Sequence, residues 1–216
     1  MNKKLVNQIL MDKKNIIIGN GGHARSLISL LIKRRKKYIN IKAISKLKKN
    51  ETIFNLPVLK LDIKKDLKRN DNFFLAIGDI LIRSKYFNLL KKQRKLTPNI
   101  FSISLNMNKD LLIGDGNFIG ENVFIGPNVK IGSNNIINTN SSIDHECQIG
   151  SNCNISPGVI LAGRVKINDN SFIGMGVTIA DKVELCENIV IGANSFVNKS
   201  IKISGTYYGN PLKKIK

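Results

Sequence analysis

The sequence predicts an α/β plus β chain: a small Rossmann-like parallel-sheet domain over residues 1–100, followed by a parallel β-helix over residues 101–216. Three observations predict it. From residue 113 to residue 203, every sixth position is Ile, Leu or Val without a slip in register. Neither a helix nor a flat sheet has that period; a hexapeptide β-helix does. Upstream, Ile16-Ile17-Ile18 enters the glycine turn Gly19-Asn20-Gly21-Gly22 and then a helical apolar pattern, which is how a βα nucleotide-binding unit opens. The charge changes at the same boundary. Residues 1–100 hold 25 Lys and Arg against 6 Asp and Glu, residues 101–216 hold 10 against 9, and the chain of 216 residues carries +20.

A basic domain beside a neutral one suits nucleic acid, an anionic membrane face or phosphorylated substrates. Plain compositional drift is the bland alternative, because Lys, Asn and Ile are abundant along the whole chain. Nucleic acid is disfavoured: few aromatics are interleaved with the lysines and no binding motif is present. No apolar run approaches the ~20 residues of a membrane span. The first ten residues lack a signal-peptide core, and the three cysteines read as reduced, so the expected location is the cytoplasm.

In chain order, residues 1–13 read as a loose basic lead-in and 15–18 as a buried strand. A helix is expected over 26–37, a strand over 39–44, a short or irregular extended piece over 57–59 and a short helix over 63–69. A buried strand over 72–78 and a helix from Asp79 to about residue 92 follow. Residues 98–108 join the domains, and the coil is expected to begin near Leu112.

Gly19, Gly21 and Ala24 fit a dinucleotide fingerprint, which also requires an acid at the end of the second strand. That region reads Ala43-Ile44-Ser45-Lys46, so a redox cofactor is not expected. The turn still suits a phosphate, because backbone N–H groups at a helix start face an anion. Gly19, Gly21, Gly22 and His23 are therefore candidate contacts for a nucleotide-linked substrate, with Arg25 or nearby lysines adding charge.

In the coil, the sixth-position aliphatics point inward. Small or β-branched residues such as Val129, Ser141, Cys147 and Cys153 stand four positions later. The position after each aliphatic is often Gly, with Asn138, Asn168 and Asn198 also there, and unusual backbone angles are expected at it. Only two histidines exist, too few for a three-histidine metal site, and no Cys/His spacing supports zinc. His145 stands two after the inward Ile143 and two before the inward Cys147, so it projects outward. With Asp144 and Glu146 beside it, it has what a general base needs: a proton-accepting nitrogen and carboxylates to orient the ring. One coil of 18 residues on is Gly163, which leaves room beside the histidine and bares a backbone N–H. An inert histidine on a solvated face is the competing reading.

Several motifs together carry a family resemblance. They are residues 18–25 around the glycine turn, Ala76-Ile77-Gly78-Asp79 with Ile82-Arg83, residues 138–150 including Ile143-Asp144-His145-Glu146-Cys147, residues 157–163, and Gly209-Asn210-Pro211. With these the chain resembles the sugar O-/N-acyltransferases, the group of the sialic acid O-acetyltransferases and the bacterial UDP-4-amino-sugar N-acetyltransferases. Asp-His-Glu-Cys is most similar to the bacillosamine-type branch, which acts on UDP-linked 4-amino-4,6-dideoxy sugars. The resemblance implies a left-handed coil, acetyl-CoA as co-substrate and a homotrimer with pantetheine in a groove between subunits. It implies His145 as general base, Glu146 tuning it and Asn138 placing the sugar amine. Gly163 and Ala193 would offer amides to the co-substrate, and the glycine turn with Asp79 would hold the nucleotide sugar. Three positions depart from the family pattern. Asn154 stands where a second, acetyl-contacting histidine is common; an amide can still donate a hydrogen bond there. Ser45-Lys46 replaces an acid, and residues 101–104 lack a His-Pro.

The resulting expectation is an acetyl-CoA-dependent sugar N-acetyltransferase of surface-glycan synthesis, without metal. A sugar O-acetyltransferase and a non-catalytic β-helix scaffold are the rivals.

Overall fold

The computed structural model describes residues 13–215 apart from 69 and 109; the basic lead-in, but for Lys13, lies outside the described residues. The chain divides into two compact units, 1–98 and 99–216.

In the first unit, β1 (Asn15–Ile18), β2 (Ile39–Ala43), β3 (Thr52–Ile53), β4 (Leu56–Lys60) and β5 (Asn72–Leu75) form one sheet in the order β3-β4-β2-β1-β5. Within it, β1, β2, β4 and β5 are parallel, and β3 closes onto β4 as an antiparallel hairpin. Of the two readings open for residues 57–59, irregular or short and extended, the structure has the extended one, as part of β4. Pro57 is tolerated because the parallel register with β2 begins only at Val58, and Pro57 itself faces only Thr52 of β3. Helix α1 spans Gly22–Lys33, starting and ending four residues earlier than the apolar pattern suggested, since Gly21 already acts as its N-cap. A one-turn helix α2 (Ile63–Asp66) and helix α3 (Ile80–Lys92) complete the unit. The core is ordinary: Ile16, Ile18, Phe73 and Leu75 from the sheet pack with Phe87 and Leu90 of α3.

The second unit is a left-handed parallel β-helix, a prism of three faces. Each coil contributes one short strand to each face. Face 1 carries Phe118–Ile119, Ile136–Ile137, Asn154–Ile155 and their equivalents. Face 2 carries Phe124–Ile125, Ser142–Ile143, Ile160–Leu161 and so on, and face 3 carries Lys130–Ile131, Gln148–Ile149 and Lys166–Ile167. Strands 18 residues apart pair in parallel, in register. The inward column and the small residues four positions later make one continuous dry core.

Three expectations are corrected here. The coil begins earlier than Leu112: Ile100–Phe101 pairs with Phe118–Ile119, and Asn106–Met107 with Phe124–Ile125. It also ends earlier. Ile201 is 8% exposed and bridges Leu185, while Ile203 is 65% exposed, so the register slips after Val197. The tail Gly205–Tyr208 then pairs with Ile189–Ile191 over the last coil. Finally, left-handed backbone angles fall three residues after each inward aliphatic, at Asn122, Asn128, Asn140, Glu146 and Arg164 among others, and not at the glycines directly after it or at Asn138, Asn168 or Asn198. Asn tolerates that region better than most side chains. The glycines answer a different need, close stacking: a Cβ on Gly126 would stand 2.8 Å from the backbone nitrogen of His145.

Candidate active site

His145 lies on the edge where face 2 turns into face 3. The turn is held by backbone bonds from Asp144 N–H to Leu161 O and from Glu146 N–H to Pro127 O. Asp144 Oδ1 accepts the His145 backbone N–H at 2.7 Å, so this carboxylate shapes the turn and is spent on it. Glu146 is the carboxylate that reaches the ring, with Oε2 3.0 Å from Nδ1. Its left-handed φ of 60° turns the side chain back along the edge. With Nδ1–H donated to the carboxylate, Nε2 is left as the proton acceptor.

One coil on, Gly163 lies beneath the ring. A Cβ there would meet Cε1 and Nε2 of His145, both at 2.5 Å. The room that glycine provides is therefore occupied by the histidine itself. One coil further, Asp181 holds Arg164 through a two-pronged pair at 3.0 Å to each oxygen. Among the described residues, no acceptor takes the backbone N–H of Gly163, which is buried, or of Ala193, which is half-buried.

The other coil candidates lie elsewhere on the same prism. Asn138 and Ala193 are on the edge between faces 1 and 2. Asn138 Oδ1 accepts Thr139 N–H at 2.8 Å. Asn154 is buried on face 1, across the prism from His145. Within one chain the structure brings together His145, Glu146 and Gly163, and it separates them from Asn138, Asn154 and Ala193. A groove of about 740 Å³ runs along face 3 past Leu112, Lys130, Gln148 and Lys166; it borders the far edge rather than His145. The cysteines are free, and burial pushes the Cys147 thiol up to about 11, so it is no nucleophile.

In the first unit, Gly19 has a φ of +121°, and a Cβ on it would stand 2.4 Å from Ala76 O, so it is glycine for the sake of β1 and β5. Gly21 and Gly22 are exposed, and a Cβ on either would touch nothing within 4 Å. Nothing inside the fold requires glycine at those two positions, and they open helix α1, whose N-terminus no side chain caps. Asp79 caps helix α3, with Oδ1 2.8 Å from Ile82 N. His23 is held neutral: burial first, then the positive charge of Arg83, pulls its pKa down to about 4. Arg83 is itself buried and ties down the loop after β5, donating to Ile77 O at 3.0 Å and Gly78 O at 3.2 Å.

Sequence reasoning missed Glu51. Its Oε1 accepts from Asn20 Nδ2 of the glycine turn at 3.0 Å, and its Oε2 accepts Lys48 N–H at 3.1 Å. The Lys48 backbone and Asn20 bonds hold its carboxyl below the usual range. An acid absent from the end of β2 thus reaches the glycine turn from the loop leading into β3, at the lip of a groove of about 570 Å³ lined by residues 47–52 and 57–59. The available signal was its isolation: it is the one acid between residues 44 and 61.

The chain thus combines a histidine paired with a carboxylate on the edge of a hexapeptide coil and a βα unit that opens on an exposed glycine turn. Over both units the chain is similar to sugar N-acetyltransferases built on a β-helix. Residues 14–90 match the PglD N-terminal domain, and residues 119–216 match the GMPPB C-terminal domain. PerB, the GDP-perosamine N-acetyltransferase of Caulobacter crescentus, solved with CoA and GDP-perosamine, is 25% identical and has a TM-score of 0.86; the match covers 95% of this chain and 98% of that one. The acetyltransferase domain of PglB from Neisseria gonorrhoeae, solved with acetyl coenzyme A, has the same fold (21% identity, TM-score 0.85, 94% and 99% covered). WeeI from Acinetobacter baumannii does too (21%, 0.85, 94% and 100%). No curated protein matches the sequence. Among the described residues, no group of acids, cysteines and histidines could hold a metal, and no helix is long and apolar enough to cross a membrane.

Proposed function

We propose that this protein transfers the acetyl group of acetyl-CoA to the amino group of a nucleotide-linked amino sugar, with His145 as general base. The carrying observation is the His145–Glu146 pair, which leaves Nε2 as acceptor on an edge where the Gly163 N–H is free. The sugar amine attacks the thioester carbonyl. His145 Nε2 takes the proton that the nitrogen sheds, and CoA leaves as the thiolate and is protonated. The C–N bond forms as the C–S bond breaks, with no acyl-enzyme. Free backbone N–H groups steady the oxyanion, and binding both partners supplies proximity. PerB, at 25% identity, was solved with GDP-perosamine, and two of its solved forms carry one histidine replaced. A GDP-linked sugar such as perosamine therefore stands beside the UDP-linked sugar that the Asp-His-Glu-Cys motif suggested.

The enzyme acts as a homotrimer. His145, Glu146 and Gly163 stand on one edge of face 2 and Asn138 and Ala193 on the other, and a second copy is what would bring unlike edges together. On face 2 the exposed apolar residues Phe124, Ile160 and Phe196 alternate with Ser142 and Thr178 in one outward column, a mixed surface suited to that contact. Thiol release is followed with acetyl-CoA and UDP-, GDP-, dTDP- and CMP-linked sugars. Turnover with an amino sugar and a loss of about 100-fold in His145→Ala are expected. No turnover with any acceptor leaves the scaffold reading, and turnover with hydroxyl acceptors alone replaces N- by O-transfer. Light scattering of wild type and Ile160→Glu tests the trimer.

A further inference from the structure

Half of the described Lys and Arg of the first unit stand at one pole. Strands β1, β2 and β5 all begin there, and helices α1 and α3 end there. Hydrogen bonds tie the segments into one row: Asn15 N–H to Tyr38 O, Asn72 N–H to Lys14 O, and Phe73 N–H to Leu96 O. Lys13, Lys14, residues 33–37 and Lys91, Lys92, Arg94 and Lys95 are all Lys or Arg, and Asp71, itself buried, is the one carboxylate among these segments.

Helix ends favour cations within the last turn, which accounts for Lys33, Lys91 and Lys92. It does not account for Arg35, Lys36, Lys37, Arg94 and Lys95, which lie beyond the helix ends. Compositional drift along the whole chain does not account for the basic excess of this unit either, because residues 101–216 are nearly neutral. Three large apolar side chains stand exposed among the cations: Ile32 at 46%, Tyr38 at 59% and Leu96 at 44%.

We propose that this pole docks the protein on the surface of an anionic phospholipid bilayer. Clustered Lys and Arg are drawn to the negative surface potential, and exposed apolar side chains enter the headgroup boundary; together they give the two signals that stable peripheral attachment needs. A nucleic acid would be met instead by stacking aromatics, and Tyr38 is the one aromatic in these segments. The pole lies at the strand starts, away from the glycine turn at the strand ends, so docking leaves the nucleotide-binding end of the unit open.

The test is cosedimentation of the full chain with vesicles of phosphatidylcholine alone and with about 30 mol % phosphatidylglycerol. Binding to the anionic vesicles alone, weakened by salt, is expected. The charge reversals Lys36→Glu, Lys37→Glu and Lys92→Glu in one variant should lower that binding at least ~10-fold. Thermal melting of the variant, and its turnover where the wild type shows any, serve as fold controls. No cosedimentation of wild type, or equal binding by a folded variant, overturns the proposal. So does capture by a single-stranded oligonucleotide with no capture by vesicles.

Discussion

The imidazole of His145 lies directly across Gly163, one coil away, so that a Cβ on residue 163 would stand 2.5 Å from both Cε1 and Nε2. The backbone at Gly163 does not need a positive φ, so Gly163→Ala should fold and melt near wild type. The added methyl must push the ring aside. We expect kcat to fall about 100-fold with little change in nucleotide affinity. Thiol-release kinetics checks it, and an unchanged kcat would mean that the ring position is not the working one.

Glu146→Gln keeps an oxygen that can accept from Nδ1 but removes the charge that steadies the imidazolium. A fall in kcat of about 10-fold, smaller than that of His145→Ala, is expected, with KM for both substrates held. The double variant should be no worse than His145→Ala, because the carboxylate acts through the ring. Additive losses would give Glu146 an independent role.

Glu51→Gln should weaken nucleotide binding about 10-fold, because a ribose diol prefers a charged acceptor beside a glycine turn. Calorimetry with GDP and UDP and their 2′-deoxy forms checks it. The wild type should prefer the ribonucleotide and the variant should not. An equal loss for both forms would leave Glu51 as a brace for Asn20 and nothing more.

His23 gives the fold a sensitivity to acid. Its folded pKa of about 4 lies below the ordinary 6.5, so between these values the unfolded chain binds more protons. Stability is then complete above about pH 6.5 and declines as pH falls toward 4, by up to ~3 kcal/mol. Urea melts at several pH values should show a flatter profile for His23→Gln. Parallel profiles would place the acid sensitivity elsewhere.

Much of this was legible from residue order alone. The coil was, and its earlier start could have been: Phe101 and Met107 stand on the same six-residue register, with Leu105 and Leu111 four positions later. The recurring Asn three after each aliphatic also marked the left-handed corners. The glycine turn and Asp79 were visible because strand, turn and cap are read within a few neighbouring residues.

What the sequence by itself determined is the β-helix and the place of His145 on its edge, because a repeat writes the same local rule into every coil. Only the tertiary structure decided that Glu146 and not Asp144 reaches the ring, since a left-handed φ turns one carboxylate outward while the other bonds its own turn. It also decided that Glu51 meets Asn20 across 31 residues of chain. And it decided that Asn138 and Ala193 stand on a different edge from His145, because three strands per coil send residues only seven apart to different corners of a prism.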